Sequence, residues 1–159
     1  MDIYDEAFLD LWRRFNEYSV RYILVGGVAT NLHGYQRYTG DVDIFIDDTT
    51  ENRKRLRRAY KAYINLDLQS LETIQFIPGW VNFPLTNGIE LDIMTSMKGV
   101  DASFDDCLSL ATAMELDDVT VPVLHINHLI ANKKAVGRPK DLLDVINLEK
   151  IQKLREEEK

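Results

Sequence analysis

Two aspartates separated by one residue, inside an apolar segment, constrain this chain most. Asp41 and Asp43 alternate with Val42, Ile44 and Ile46, the period-two pattern of a half-buried strand. Because residues two apart in a strand point to the same face, the two carboxylates project together and the aliphatic side chains enter a core. Neighbouring carboxylates repel each other, and such a pair commonly needs a cation. The alternative is an edge strand with one wet face.

A glycine pair precedes this strand. Residues 22–25 are predicted to form a short buried strand that runs into Gly26 and Gly27, and a helix is predicted over residues 28–33. Two glycines let a ligand approach the backbone, and a helix N-terminus offers unpaired N–H groups to an anion. A tight strand–helix turn that needs positive φ is the other interpretation. The P-loop and dinucleotide-binding patterns are excluded, because neither Gly-Lys-Ser/Thr nor Gly-x-Gly-x-x-Gly occurs here.

A third acid occurs in a later predicted strand. Asp92 lies between Leu91 and Ile93, so its carboxylate faces away from those apolar side chains. If this strand lies beside the first, three carboxylates share one surface, and such a set can hold two metal ions about 4 Å apart. Glu90 points to the same face and is the competing candidate. We prefer Asp92.

Together these features resemble the signature of the nucleotidyltransferase superfamily that includes DNA polymerase β. The matching residues are Gly26, Gly27, Asp41, Asp43 and Asp92. The longer pattern over residues 26–43 resembles small stand-alone bacterial nucleotidyltransferases. It reads Gly-Gly-x-Ala-x-x-x-His-Gly-x-x-Arg-x-Thr-x-Asp-x-Asp. That branch lies near the AbiEii-like toxin proteins and the minimal nucleotidyltransferases that are paired with partner proteins.

The C-terminal part extends the resemblance. Residues 125–141 are similar to the lysine-bearing helix and the Arg-x-Lys-Asp turn of AbiEii-like proteins. Lys133 falls on the apolar stripe of the predicted helix 127–136, so its ammonium must reach solvent or find a partner. Two interpretations stay open: a structural salt bridge to Asp141 or Asp144, and a lysine that reaches nucleotide phosphates.

The resemblance implies a metal-dependent enzyme that moves a nucleoside monophosphate from a nucleoside triphosphate to a hydroxyl acceptor and releases pyrophosphate. It implies Mg²⁺ or Mn²⁺ as cofactor, with catalytic and metal-binding roles for Asp41, Asp43 and Asp92. The expected nucleotide-binding residues are Gly26, Gly27, Arg37, Thr39 and Lys133. The acceptor is left open between a small molecule, a tRNA and a protein. The alternatives are a toxin–antitoxin component that acts on a protein or tRNA partner, and a catalytically degenerate nucleotide-binding module.

The pattern of elements indicates an α+β fold. Helices alternate with strands that short turns connect, and Asn87-Gly88 is a hairpin signal within the strand-like stretch 74–97. The resemblance implies a mixed sheet flanked by helices. With 159 residues, we expect one domain over residues 1–159, with a C-terminal helical segment over about 126–155.

Charge and composition narrow the partners. A formal net charge of −7 argues against broad binding of nucleic acid. The basic run over residues 53–61 is interpreted either as a solvated helix face or as a local landing site for a polyanion. No apolar run is long enough to span a membrane, and the acidic N-terminus does not resemble a secretion signal. The single Cys107 is expected in the core of a cytoplasmic protein.

Overall fold

A mixed six-stranded sheet forms the centre of the computed structural model, which describes residues 1–159. In chain order the strands are β1 Tyr22–Val25, β2 Asp41–Ile46, β3 Asn82–Pro84, β4 Glu90–Met94, β5 Thr112–Leu116 and β6 Val119–Val123. Across the sheet their order is β3-β4-β2-β1-β6-β5. The pairs β2–β4 and β1–β6 are parallel, and the other three pairs are antiparallel.

Six α-helices flank this sheet, together with a 3₁₀ turn over Gln69–Glu72. The helices are α1 Glu6–Glu17, α2 Gly26–His33, α3 Thr50–Ile64, α4 Phe104–Leu110, α5 Ile126–Val136 and α6 Pro139–Glu157. The predicted α+β class and the mixed sheet are therefore confirmed.

Side chains at the helix starts explain where several helices begin. The Asp5 carboxylate accepts a hydrogen bond from the backbone N–H of Ala7 ahead of α1, and the Thr49 hydroxyl accepts one ahead of α3. Each bond satisfies a donor that has no partner within the helix. At the other end of the chain, Gly137 ends α5 in the left-handed conformation and Pro139 opens α6, so the two helices are joined by a very short turn.

The packing of the helices determines what surrounds the aspartate-bearing strand. Helix α1 packs against α3 and β6, and its buried Trp12 ring stacks on Tyr22 at a centroid distance of 5.6 Å. The predicted inward residues Val42, Ile44 and Ile46 are all buried. Helices α5 and α6 pack against each other and both contact α2. The C-terminal helices therefore lie next to the helix that begins at the glycine pair.

Three local predictions differ from the structure. Helix α2 begins at Gly26 itself and not two residues later. The stretch 74–97 contains only the two short strands of one hairpin, closed through Asn87-Gly88 as predicted. Strand β5 was not predicted, because it lies at the sheet edge and buries little apolar surface, which weakens the alternation in its sequence.

Two features agree with expectations from composition. Cys107 is buried and unpaired, which confirms its place in the core. No helix combines the length and the hydropathy needed to cross a membrane.

Asn52 on α3 offers a test of how this helix is fixed to the sheet. Its buried amide accepts a hydrogen bond from the Arg21 N–H and donates to the carbonyl oxygens of Arg21 and Asp47. Asn52→Ala leaves these backbone groups without partners, so we expect the free energy of unfolding to fall by about 2–3 kcal/mol. Urea denaturation measures this change. Asn147→Ala, which removes one exposed bond, is the control, and equal losses in both variants would contradict the assignment.

Candidate active site

The face of the sheet that carries the aspartates forms the floor of a cleft of about 780 Å³. This cleft is lined by every residue to which the sequence analysis assigns a catalytic, metal-binding or nucleotide-binding role: Gly26, Gly27, Arg37, Thr39, Asp41, Asp43, Asp92 and Lys133. The structure therefore brings together residues that are up to about a hundred positions apart in the chain. Their chemical roles stay predictions.

Pairing register places the acids side by side. Asp43 pairs with Asp92 across the parallel strands β2 and β4. On either side of them, Val25 pairs with Asp43 and Asn82 pairs with Asp92. We call Asn82, Asp92, Asp43 and Val25 the four-strand row. Neighbouring strands are about 4.8 Å apart, so the row spans about 14 Å on one face of the sheet.

Of the two acids on β4, only one belongs to the cleft. Asp92 is 7% exposed and lines it. Glu90 pairs with Asp41 in the same register, but it is exposed to solvent and is not part of the lining. The geometry agrees with the preference for Asp92 over Glu90.

The clustered carboxylates perturb one another. Burial, together with the negative charges of Asp92 and Asp41, raises the pKa of Asp43 to about 6, although Lys133 and Lys140 act in the opposite direction. Burial also raises the pKa of Asp92, against the effect of a backbone N–H that bonds its carboxylate. The protein thus holds these acids in a setting that disfavours their charged forms.

The surroundings of Asp92 suit a cation. Its Oδ2 accepts a hydrogen bond of 2.8 Å from the Gly79 N–H, whereas its Oδ1 is buried with no hydrogen-bond partner. A buried carboxylate oxygen without a partner is costly, and a bound ion would supply one. No three Asp, Glu, His or Cys side chains are arranged closely enough to hold an ion by themselves. The oxygens nevertheless fit Mg²⁺ or Mn²⁺, since Mg²⁺ commonly takes one or two carboxylates with substrate phosphates and waters.

Side chains of β2 and of the loop before it come so close to Gly26 and Gly27 that neither position has room for a side chain. Gly26 has φ +68°, and a Cβ at this position would overlap the Asp43 carboxylate. A Cβ on Gly27 would collide with the Thr39 side chain, 2.8 Å from its Cβ. The tight turn with positive φ is therefore present. Val25 provides no side-chain cap to α2, so the first N–H groups of this helix are available to an anion, and the phosphate cradle stays a prediction.

Both candidate cations of the cleft are paired with buried acids. The Arg37 guanidinium donates two hydrogen bonds, of 2.6 and 2.7 Å, to the carboxylate of Asp144. The Lys133 ammonium lies 2.9 Å from Asp144 and 3.5 Å from Asp141. Burial of Asp144 opposes its ionisation, but Arg37 and Lys133 outweigh that effect and hold its pKa below the usual range. The structure therefore contains the salt bridges that one interpretation of Lys133 predicts.

Sequence reasoning missed three further cations of the cleft, Lys98, Arg138 and Lys140. Arg138 and Lys140 belong to the Arg-x-Lys-Asp turn but received no role. Their signal was their position directly after Gly137, at a sharp turn between two helices. Lys98 comes from the segment after β4 and left no comparable signal in the sequence.

A separate groove of about 350 Å³ is lined by four residues of the basic run of α3, namely Lys54, Arg57, Arg58 and Lys61. Arg57 is paired there with Asp67 and Glu72, and the Arg53 guanidinium lies 4.7 Å from the centre of the Phe76 ring. Much of the run's charge is thus compensated within the fold. The choice between a solvated face and a polyanion site stays open.

Comparison with known proteins gives a family and a fold. No curated protein matches the sequence. A crystal structure of a candidate nucleotidyltransferase from Thermotoga maritima aligns with a TM-score of 0.59 at 17% identity, covering 95% of this chain and 89% of that one. This likeness shows the fold alone, and the more specific AbiEii-like branch stays a prediction. A family model described as a nucleotidyltransferase of unknown function (DUF6036) matches residues 3–157. The chain therefore belongs to this nucleotidyltransferase family.

Proposed function

We propose that the protein transfers a nucleoside monophosphate from a nucleoside triphosphate to a hydroxyl group and releases pyrophosphate. The single observation that carries this proposal is the register of Asp43 and Asp92 on adjacent parallel strands, at the floor of a cleft that also contains the start of α2. Paired carboxylates beside an anion-accepting helix start suit the chemistry of a metal-bound triphosphate. Family membership supports the same class of reaction.

Binding of the triphosphate draws on two parts of the cleft. The first N–H groups of α2, at Gly26 and Gly27, would donate hydrogen bonds to phosphate oxygens. Lys98, Arg138 and Lys140 would add positive charge. Of these three, only Arg138 is paired with an acid, namely Asp141. Arg37 and Lys133 contribute less free charge, because Asp144 and Asp141 compensate them.

The acids would hold Mg²⁺ or Mn²⁺. Asp41, Asp43 and Asp92 would supply carboxylate oxygens, among them the Oδ1 of Asp92, which has no hydrogen-bond partner. When bound, such an ion neutralises charge that develops on the phosphoryl oxygens and on the leaving group.

The reaction itself exchanges one bond for another at the α-phosphorus. The acceptor oxygen forms a bond to that phosphorus, the bond to the bridging oxygen of pyrophosphate breaks, and pyrophosphate leaves. Asp92 would take the proton of the acceptor hydroxyl. The fold contributes mainly by positioning the two reactants and by supplying matched charge.

Metal-dependent nucleotide binding should require Asp43. Asp43→Asn removes one negative charge from the centre of the four-strand row, so we expect Mg²⁺-dependent triphosphate affinity to fall at least about 10-fold, or 1.4 kcal/mol. Calorimetry with each triphosphate, with and without Mg²⁺, measures the change. Asp101→Asn, at an exposed position outside the cleft lining, is the control. Unchanged affinity in Asp43→Asn would sink the site assignment.

The rate of nucleotide transfer should depend on Asp92 and not on Glu90. Asp92→Asn is expected to lower the transfer rate by at least about a hundredfold, because it removes the proton acceptor, while triphosphate binding changes much less. Glu90→Gln, on the same strand but outside the cleft, should be mild. The measurement is incubation with labelled triphosphate, Mg²⁺ or Mn²⁺ and a cell extract. The reverse order of effects would mean that Glu90 is the reacting acid, and no transfer by the wild type would favour a binding module without turnover.

The free energy of unfolding should depend on pH because the clustered acids disfavour the charged form of Asp43. The pKa of Asp43 is about 6 in the folded protein, above the unfolded value of about 3.9, so the folded state holds the extra proton and loses stability as pH rises from 4 to 6. Asp43→Asn should therefore be more stable than the wild type at pH 8 without metal, by at most about 3 kcal/mol. The difference should vanish near pH 4. Urea denaturation in a chelator at both pH values tests this, and a less stable variant at pH 8 would refute it.

A further inference from the structure

The two ends of the four-strand row differ in what lies beside them. At one end Val25 leads into Gly26 and the start of α2, where the triphosphate is proposed to bind. At the other end lies Asn82 on the edge strand β3. In phosphoryl transfer the attacking and leaving oxygens lie roughly in line on opposite sides of phosphorus. If pyrophosphate leaves on the Gly26 side, the acceptor approaches over Asp92 from the β3 edge.

A rigid turn forms that edge. The segment Ile77–Trp80 is closed by a hydrogen bond of 3.0 Å from the Trp80 N–H to the Ile77 carbonyl oxygen. Pro78 occupies its second position, and Gly79, with φ +77°, occupies its third. This is the pattern of a type II turn, in which the third residue needs positive φ. The Gly79 N–H donates to Asp92, so the turn fixes the carboxylate that is proposed to take the acceptor's proton.

The residue after Gly79 presents an unused aromatic ring. Trp80 is 82% exposed and stacks on no other aromatic side chain of the fold. The other tryptophan, Trp12, is buried against Tyr22. This large exposed ring is attached one residue from the contact to Asp92, next to the cleft-lining Gly79, and no part of the fold covers its faces.

Asn82 adds a hydrogen-bonding group beside the same acid. Because it pairs directly with Asp92, the two side chains share one face of the sheet, with Cβ atoms about 5 Å apart. Asn82 is exposed and therefore accessible to a ligand. A primary amide both donates and accepts, which matches the edge of a nucleobase. Stacking on an aromatic ring combined with polar contacts to the base edge is how proteins recognise unstacked bases.

We infer that Trp80 and Asn82 form an acceptor subsite for a nucleoside, whose base stacks on Trp80 and contacts Asn82 while its ribose hydroxyl reaches Asp92. The inference rests on the proposed function, since it takes the transfer direction from it. The net charge of −7 agrees with recognition through the base and not through a long phosphate backbone. A free nucleoside and the 3′-terminal nucleoside of single-stranded RNA share this chemistry. A tyrosine hydroxyl is disfavoured, because a phenol ring has no base edge for Asn82.

Calorimetry on the full chain tests the subsite. The protein is first loaded with Mg²⁺ and a non-hydrolysable analogue of whichever triphosphate binds most tightly. The probes are the four ribonucleosides, a single-stranded RNA tetranucleotide with a free 3′ hydroxyl, and a tripeptide containing tyrosine. We expect a nucleoside or the tetranucleotide to bind, and Trp80→Ala to weaken that binding about 10-fold or more. Trp80→Phe should keep affinity within about threefold, and Asn82→Leu should weaken the preferred base about fivefold.

The controls separate the failure of this inference from the failure of the proposed function. Tyr4→Ala removes an exposed aromatic ring outside the cleft and should bind every probe as the wild type does. Triphosphate affinity and the thermal midpoint are measured for each variant. If the triphosphate binds but no nucleoside or RNA does, or if Trp80→Ala binds them as the wild type does, the subsite is wrong while the proposed function stands.

Two other outcomes also decide the matter. Binding of the tyrosine peptide alone would overturn the nucleoside assignment in favour of a protein acceptor. A wild type that binds no triphosphate would overturn both proposals together. Binding of free nucleosides supports the subsite with a small acceptor, whereas binding of the tetranucleotide alone supports it with an RNA end.

Discussion

The buried carboxylate of Asp144 holds the cleft together. It is 0% exposed, and it joins α6 to Arg37 in the loop before β2 and to Lys133 on α5. Taking two charges from water is expensive, and removing one partner of a buried pair commonly costs 3–5 kcal/mol because the other charge is left uncompensated. The C-terminal helices are therefore bound through charge to the loop that precedes β2, in addition to their packing against α2. Arg138 and Lys140, on the turn between α5 and α6, owe their place on the cleft to this anchorage.

That anchorage changes how charge is distributed over the site. Arg37 and Lys133 are the basic residues that the sequence patterns singled out, yet their charges face Asp144 and Asp141. The acids on the sheet have no such salt bridges, and burial together with the charges of Asp92 and Asp41 raises the pKa of Asp43 to about 6. The protein thus pairs the acids that hold its helices with cations and leaves the carboxylates on the sheet without one. Unfavourable groups that persist in a folded protein commonly mark a site where a ligand completes the charge balance.

The positions of the acids on β2 could be predicted because they follow from a pattern of neighbouring residues. Alternation of acids with aliphatic residues places Asp41 and Asp43 on one face, and the structure buries Val42, Ile44 and Ile46 opposite them. Other features depend on contacts that no local pattern encodes. The edge strand β5 buries too little to leave a clear alternation. The position of Lys98 depends on how α5 packs beside the segment after β4, where the Asn132 amide bonds the Lys98 carbonyl oxygen.

The sequence pattern of the glycine pair does not distinguish between two structural reasons for glycine. It is compatible with both a ligand cradle and a tight turn, because glycine permits both. The structure shows that the turn needs glycine for its own reasons, since Cβ atoms would meet Asp43 and Thr39. Substitution of Gly27 would therefore strain the contact with Thr39 whether or not phosphate binds there. Variants of the acids are the more direct probes of function, because their side chains line the cleft.

The sequence favours Asp92 over Glu90, but it does not determine the register of β4 against β2. A slip of β4 by two residues would set Glu90 opposite Asp43, and the apolar alternation would survive it unchanged, because strand side chains repeat every two residues. In the structure the pairing of β2 with β4 has Asp92 opposite Asp43. The hairpin fixes the position of β4 on its other side, against β3. Its turn is closed by a bond of 2.8 Å from the Leu85 N–H to the Ile89 carbonyl oxygen, and the turn at Gly79 holds Asp92 from the other end of β3. Two glycine-containing turns therefore hold Asp92 against the edge strand, while long-range pairing of β2 with β4, which no local sequence pattern encodes, brings it opposite Asp43.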